Sequence, residues 1–214
     1  MGGAEEVINR IINSIAQVLT EKDSAREEII RLTRDVVRLS RSVVNSVLQG
    51  AMDRAAAVLK ELESIVEKVK RVAKPHPELM YTGLVYNALA EFVEAELLYH
   101  VVAKRSLVSP EELEVHYIPY LQGLCDFIGE IKRYILKLIR EKRFNEADEL
   151  LRIAEHIFMA IQPLSEYPDA LVPGLRRKID IMRKVLEDLE KFLLDLRSRN
   201  DLISRLEQVR RHLV

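Results

Sequence analysis

Apolar residues recur at intervals of three and four along almost the whole chain. Leu32, Val36, Leu39, Val43 and Val47 form one such stripe, and Leu59, Leu62, Ile65 and Val69 form another. At 3.6 residues per turn that spacing puts each set on one face of a helix. No segment alternates with period two over a strand's length, so the pattern predicts an all-α protein. Punctuation divides it into about seven mostly long helices. An opening helix is predicted from about Ala4 to Leu19, a second from about Ser24 to Gly50, and a third to about Ala73. Pro75 and Pro77 then break the chain. A fourth helix is predicted from about Glu78 to Lys104. Ser109-Pro110-Glu111-Glu112 is a capping box with proline at the first helical position, the signal for a new helix start. Pro119 opens a fifth long helix that runs to about Glu141, and a sixth covers about Asn145 to Ile161. A proline-rich turn from Tyr167 to Gly174 leads into a last long helix from about Leu175 to Arg199, and the tail from Asn200 could form a further short one. No repeat, low-complexity segment or shift of composition marks a second domain, so residues 1–214 are expected to form one helical bundle.

Composition narrows the function classes. With 214 residues, 48% of them hydrophobic, the chain is long enough to bury a proper core. The formal net charge of -1 provides no global basic field, so any nucleic-acid site must come from local clustering. A lone cysteine, Cys125, excludes an internal disulfide and suits a reducing, cytoplasmic setting. Acids within the first few residues argue against a secretory signal. No stretch approaches the roughly 18 uncharged apolar residues of a membrane span. The histidines are dispersed, and no Gly-rich phosphate loop or nucleophile elbow is present. Glu96 and His100 could approach each other one turn apart, but Glu96 lies about 140° round the helix from Glu91.

Two predicted helices each carry a pair of acids one turn apart. The fourth reads Glu91-Phe-Val-Glu94 and the fifth reads Asp126-Phe-Ile-Gly-Glu130. Pairs at i,i+3 and i,i+4 share a helix face, with side-chain roots roughly 5–6 Å apart. Acids that close repel, so a folded chain keeps them cheaply only in water or around a cation. Facing one another, the two pairs would make an all-oxygen cage of the kind Mg²⁺ or Mn²⁺ prefers. If the fourth and fifth helices form an antiparallel hairpin, Glu94 and Asp126 lie at depths of about 15 Å and 11 Å from the turn, agreeing within about one helical turn. Gly123 and Gly129 each weaken the fifth helix by about 1 kcal/mol relative to alanine, which suggests close approach of another backbone or a ligand there. The alternative is that both pairs are solvated surface.

Basic residues offer candidate phosphate contacts. Arg31, Arg34, Arg38 and Arg41 follow one another at spacings of three, four and three, so they share one helix face. Such a stripe could follow a phosphate backbone without reading sequence. It could equally be the charged outer face of an amphipathic helix, with Glu27 and Asp35 within pairing reach. Lys104 and Arg105 lie just beyond the first acidic helix. Arg133 and Lys137 share the face of Asp126 to within about 20°, as a phosphate grip beside a metal would, although a Glu130–Arg133 salt bridge explains the first of them as well.

At these residues the chain resembles the translin/TRAX family. The segments that carry the likeness are Glu91-Phe-Val-Glu94-Ala with Lys104-Arg105-Ser106-Leu107-Val108-Ser109, and Tyr120-Leu-Gln-Gly123-Leu-Cys-Asp126-Phe-Ile-Gly129-Glu130. Arg34-Asp35 and Ser40-Arg41 resemble the family's early helix. The resemblance implies a translin-like helical bundle that assembles into a hollow oligomeric barrel. It also implies either of two activities. Translin-associated factor X is the catalytic subunit of a Mg²⁺-dependent endoribonuclease. Translin itself lacks the full acidic set and mainly builds an octameric barrel that holds RNA. Glu91, Glu94, Asp126 and Glu130 match all four catalytic acids. The chain is therefore expected to be a Mg²⁺- or Mn²⁺-dependent endoribonuclease acting mainly on single-stranded RNA inside a homo-oligomer, an octamer in the family pattern. A non-catalytic binder of single-stranded RNA or DNA is the alternative. One departure stands out: the stretch that is basic and aromatic in translin reads Tyr81-Thr-Gly-Leu-Val-Tyr86-Asn87 here and holds no base.

Overall fold

The structure, a computed structural model, describes residues 2–212. Among these residues there are seven α-helices, one short 3-10 turn and no strand, as the period of the apolar positions predicts. No helix among them is long and apolar enough to cross a membrane. The chain divides into two compact units, Met1–Leu124 and Cys125–Val214.

The first unit opens with α1, Gly2–Gln49, one unbroken helix of 48 residues where two were expected. The interval from Thr20 to Ser24 is polar but holds neither glycine nor proline, so nothing interrupts the backbone ladder. Thr20 does not cap a new helix; its hydroxyl donates back to the Ala16 carbonyl at 2.9 Å. Burial begins only with Ile29 and continues through Leu32, Val36, Leu39, Val43 and Val47, while Val7, Ile8, Ile11, Ile12, Ile15, Val18 and Leu19 remain about half exposed. Gly50 ends α1 at φ 80. Its N–H donates to Val47 and that of Ala51 to Ser46, each at 2.9 Å, the left-handed stop that only glycine adopts without strain.

Helix α2 spans Met52–Ala73 and buries Ala55, Leu59, Leu62, Val66, Val69 and Ala73 against α1 and α4. Val66 takes the core place expected of Ile65, which is only partly covered. The predicted fourth helix is split in two: α3, Pro77–Met80, and α4, Gly83–Lys104. Thr82 separates them with extended backbone (φ -75, ψ 147), and its hydroxyl accepts from the Val85 N–H. Arg105 closes α4 in the left-handed conformation. The Ser109 capping box does form: Ser109 N–H donates to Glu112 Oε2 at 2.7 Å, and Glu112 N–H to Ser109 Oγ at 3.2 Å. It caps only a turn, which ends at Glu114 with φ 50. Helix α5, Tyr117–Arg140, starts after it. Pro119 is its third residue, where a missing N–H breaks no helical bond.

Helix α5 meets α4 very closely inside this unit. A Cβ on Gly123 would lie 2.5 Å from the Ala90 carbonyl oxygen and 2.7 Å from Val93 Cβ. Gly129 is different, because a Cβ there meets nothing within 4 Å. Its glycine is therefore not explained by a tight contact.

The second unit holds the remainder of α5, then α6, Phe144–Ile161, a 3-10 turn, Gln162–Glu166, and α7, Leu175–His212. Leu175, Ile179, Met182, Leu186, Leu189 and Leu193 alternate at four and three and are all buried. They form the inward stripe of α7, which packs against α6. Asn200 does not break α7, so the expected separate tail helix is its continuation.

The two glycines of α5 give opposite predictions. Gly123→Ala drives a methyl into a backbone carbonyl and is expected to destabilise the protein by about 1–3 kcal/mol. Gly129→Ala is expected to stabilise it by about 0.5–1 kcal/mol. Denaturant unfolding of the two variants checks both signs.

Candidate functional site

Each unit carries one acidic pair. In the first, Glu91 and Glu94 project from α4 beside Ala90 and Val93, the residues that receive Gly123. Glu91 is 37% exposed, and its Oε2 lies 3.9 Å from Arg41 Nε on α1. Arg31, Arg34, Arg38 and Arg41 are all exposed along one face of α1, as their spacing predicts. This arginine track therefore ends at the first acid. Arg38 pairs with Asp35 at 3.1 Å and Arg31 lies 3.8 Å from Glu28, while Glu27 pairs with Arg26 outside the track. Exposed pairs of this kind hold their partners weakly.

Arg34, Arg38 and Arg41 line a cleft of about 510 Å³ together with Asn45, Gln49 and Arg54. Asn45 and Gln49 continue the same face at steps of four and were legible in principle. Arg54 was not, because only the Gly50 turn brings α2 alongside. Arg105 uses its guanidinium locally, donating to the Val101 and Val102 carbonyls at 3.2 and 3.3 Å. Lys104 is exposed.

In the second unit Asp126 and Glu130 lie one turn apart on α5. Lys178 Nζ, from the first turn of α7, donates to both Asp126 oxygens. Sequence reading did not single out Lys178. Its only signal was a run of three cations, Arg176-Arg177-Lys178, in the first turn of a helix. Arg133 Nη1 grips both Glu130 oxygens, at 3.0 and 2.7 Å. Lys137 is 15% exposed, 3.9 Å from Glu141 and 5.3 Å above the Tyr134 ring. Arg133 is thus placed by a neighbour on its own helix, and Lys137 by Tyr134 on that helix and Glu141 just past its end.

Among the described residues, no three His, Cys, Asp or Glu side chains within either unit are grouped to hold a metal ion. The donor set itself suits hard cations: carboxylate oxygens are what Mg²⁺ and Mn²⁺ take, and Asp126 and Glu91 already attract a cation each from another helix. Cys125, next to Asp126, is buried, and burial pushes its thiol up to about 12. It is an inert core group, not a nucleophile.

Glu96 is a separate case. It is 1% exposed, and neither carboxyl oxygen has a hydrogen-bond partner. His100 Nδ1 lies 3.3 Å from Oε2 but bonds the Glu96 carbonyl oxygen at 3.1 Å. Burial pushes the carboxyl up to about 8; the charge of Glu63 adds to the shift and that of Lys104 opposes it. Burial also lowers the His100 imidazole. At neutral pH the pair is therefore two neutral groups, not a salt bridge.

An all-helical chain with one acidic pair in each unit, each pair met by a cation from another helix, is the class these features define. The chain belongs to the translin family, whose model matches residues 24–200 and so spans both units. An uncharacterised protein of Methanocaldococcus jannaschii is 29% identical over 196 residues, covering 89% of this chain and 86% of that protein. The translin-associated protein X homolog of Schizosaccharomyces pombe is 20% identical over 191 residues, 83% of each chain. Among solved structures, the crystal structure of AfC3PO is similar, with a TM-score of 0.81 and 28% identity over 88% of this chain and 97% of that one. The same protein has been solved as a complex with duplex RNA.

The state of Glu96 sets a pH dependence of stability. Its carboxyl titrates near 4.5 when unfolded and near 8 when folded. Between these values the folded protein holds a proton that the unfolded chain has lost, so stability falls as pH rises through this window. Glu96→Gln is expected to flatten that decline, gaining on the order of a few kcal/mol at the alkaline end and little near pH ~4. Thermal melts of parent and variant across that range measure it.

Proposed function

We propose that this protein is a Mg²⁺- or Mn²⁺-dependent endoribonuclease that works as a homo-oligomer, an octamer in the translin pattern. The observation that carries the reading is the arginine track of α1, which ends 3.9 Å from the Glu91 carboxylate. A track of arginines holds phosphates without regard to base, and here it leads to an acid. Membership of the translin family and the solved RNA complex of a 28% identical relative support RNA as the polymer. The half-exposed apolar stripe of Val7 to Leu19 on α1 offers surface for a second copy.

In this mechanism Arg34, Arg38, Arg41 and Arg54 hold the RNA backbone in their cleft. Glu91, Glu94, Asp126 and Glu130 are the residues that would hold a divalent ion. When bound, the ion supplies Lewis-acid stabilisation of the charge that develops on the scissile phosphate. Glu91, with Arg41 beside it, orients the water and takes its proton. The water oxygen bonds to phosphorus, the P–O bond to the departing ribose oxygen breaks, that oxygen takes a proton from solvent water, and Glu91 returns its own proton to solvent.

One observation favours the non-catalytic alternative. Lys178 on Asp126 and Arg133 on Glu130 neutralise the second pair without any metal. A binder of this design would retain RNA and never cut it.

Labelled RNA, single-stranded and duplex, incubated with protein in Mn²⁺ or EDTA separates the two readings. Cleavage in Mn²⁺ alone is expected, with single strands preferred; retention without cleavage would establish the binder. Glu94→Ala and Asp126→Ala are expected to abolish cleavage while circular dichroism and thermal melting stay close to parent. Either variant cutting at the parent rate would remove its acid from the site. Arg34→Ala with Arg38→Ala is expected to weaken RNA retention and to lower the slope of log K against log salt by about two, measured by titration at several salt concentrations.

A further inference from the structure

The start of α7 breaks a local rule. Its first turn reads Leu175-Arg176-Arg177-Lys178 and contains no acid. Helix N-termini carry partial positive charge and favour the opposite sign. Where a chain departs from its own local preferences, function is the first explanation to test.

The chain before α7 is arranged to deliver these cations. Gly174, at φ +72, places its N–H on Asp169 Oδ1 at 2.8 Å. Arg176 Nε donates to the Ser165 carbonyl at 2.7 Å. Leu175, Ile179 and Met182 are buried and set the rotation of the helix. Lys178 then reaches α5 and donates to both oxygens of Asp126. The two side chains are 28% and 43% exposed, so the pair adds little to stability. An ammonium astride both oxygens of one carboxylate stands where a hard cation would bind.

We propose that Lys178 holds the cation position at Asp126 in the metal-free protein, yields that carboxylate to a divalent ion, and then sets its released charge against the phosphate of bound RNA. The proposal rests on the metal-dependent reading of Asp126. A lysine suits the exchange better than an arginine, because its ammonium is a compact charge on a flexible four-carbon stem, whereas a planar guanidinium stays fixed to the carboxylate by its fork. The arrangement couples the two ligands. The ion displaces the ammonium from Asp126 and the phosphate attracts it, so RNA should tighten metal binding.

The test is Mn²⁺ uptake by the full chain, read from the loss of the free-ion electron paramagnetic resonance signal, without RNA and without turnover. Lys178→Met, which removes the ammonium competing for Asp126, is expected to bind Mn²⁺ about tenfold more tightly than the parent, yet to cut RNA at least about tenfold more slowly at saturating Mn²⁺. Lys178→Gln, which keeps a polar head, is the second variant and is expected to behave alike. Non-cleavable RNA should tighten Mn²⁺ binding to the parent by more than it does in either variant, and an equal gain in all three overturns the coupling through Lys178. Mn²⁺ affinity in the variants equal to or below the parent's overturns the role of Lys178 while leaving the metal site standing. Unaltered cleavage by the variants overturns the phosphate contact. If neither parent nor variants take up Mn²⁺, the metal-dependent reading fails and this proposal fails with it.

Discussion

Gly123 packs against the Ala90 carbonyl and Val93 with no room for a side chain, and the placement of the first acidic pair depends on that contact. Backbone brought so near to backbone settles which faces of α4 and α5 meet. Glu91 and Glu94 are the residues that follow Ala90 and Val93 directly. Asp126 stands one turn beyond Gly123 on its own helix. Almost any side chain at position 123 would push these two backbones apart, since even its first carbon has no room beside the Ala90 carbonyl oxygen. A residue that weakens its own helix is thus kept for a geometric reason.

Electrostatics follows from this packing. A helix face that must carry two acids in a partly covered place attracts whatever cations its neighbours can supply. Arg41 arrives from α1 at Glu91, Lys178 from α7 at Asp126, and Arg133 from one turn away at Glu130. None of these pairs is buried enough to contribute much to folding. Glu96 shows the contrast, since burial of a carboxyl with no hydrogen-bond partner raises its pKa and favours the protonated form.

Much of this was legible in the order of residues. The period of Leu32 to Val47, the Gly50 stop and the four acids could be read directly, and so could the arginine track of α1. The misreadings have physical causes. The polar stretch from Thr20 to Ser24 resembles a helix boundary, yet a ladder with no proline or glycine to break it simply continues. The Ser109 box is correctly a cap, but Glu114 enters a left-handed conformation before a helix can grow. Gly129 looks equivalent to Gly123 on paper, and only the neighbours tell them apart. Lys178 and Arg54 left almost no signal, because each matters through a residue on another helix, far away or across a turn.

By itself the sequence determined the helical class, the family and the chemistry available, since these depend on the spacing of side chains along one backbone and on what each can donate or accept. Tertiary structure decided which groups meet. It selected Gly123 over Gly129 as the site of close approach, extended α1 through a polar stretch, joined Arg41 to Glu91, and gave Lys178 to Asp126. The reason is range: periodicity, capping and charge spacing act within a turn or two, whereas an ion pair between α5 and α7 depends on how whole helices pack.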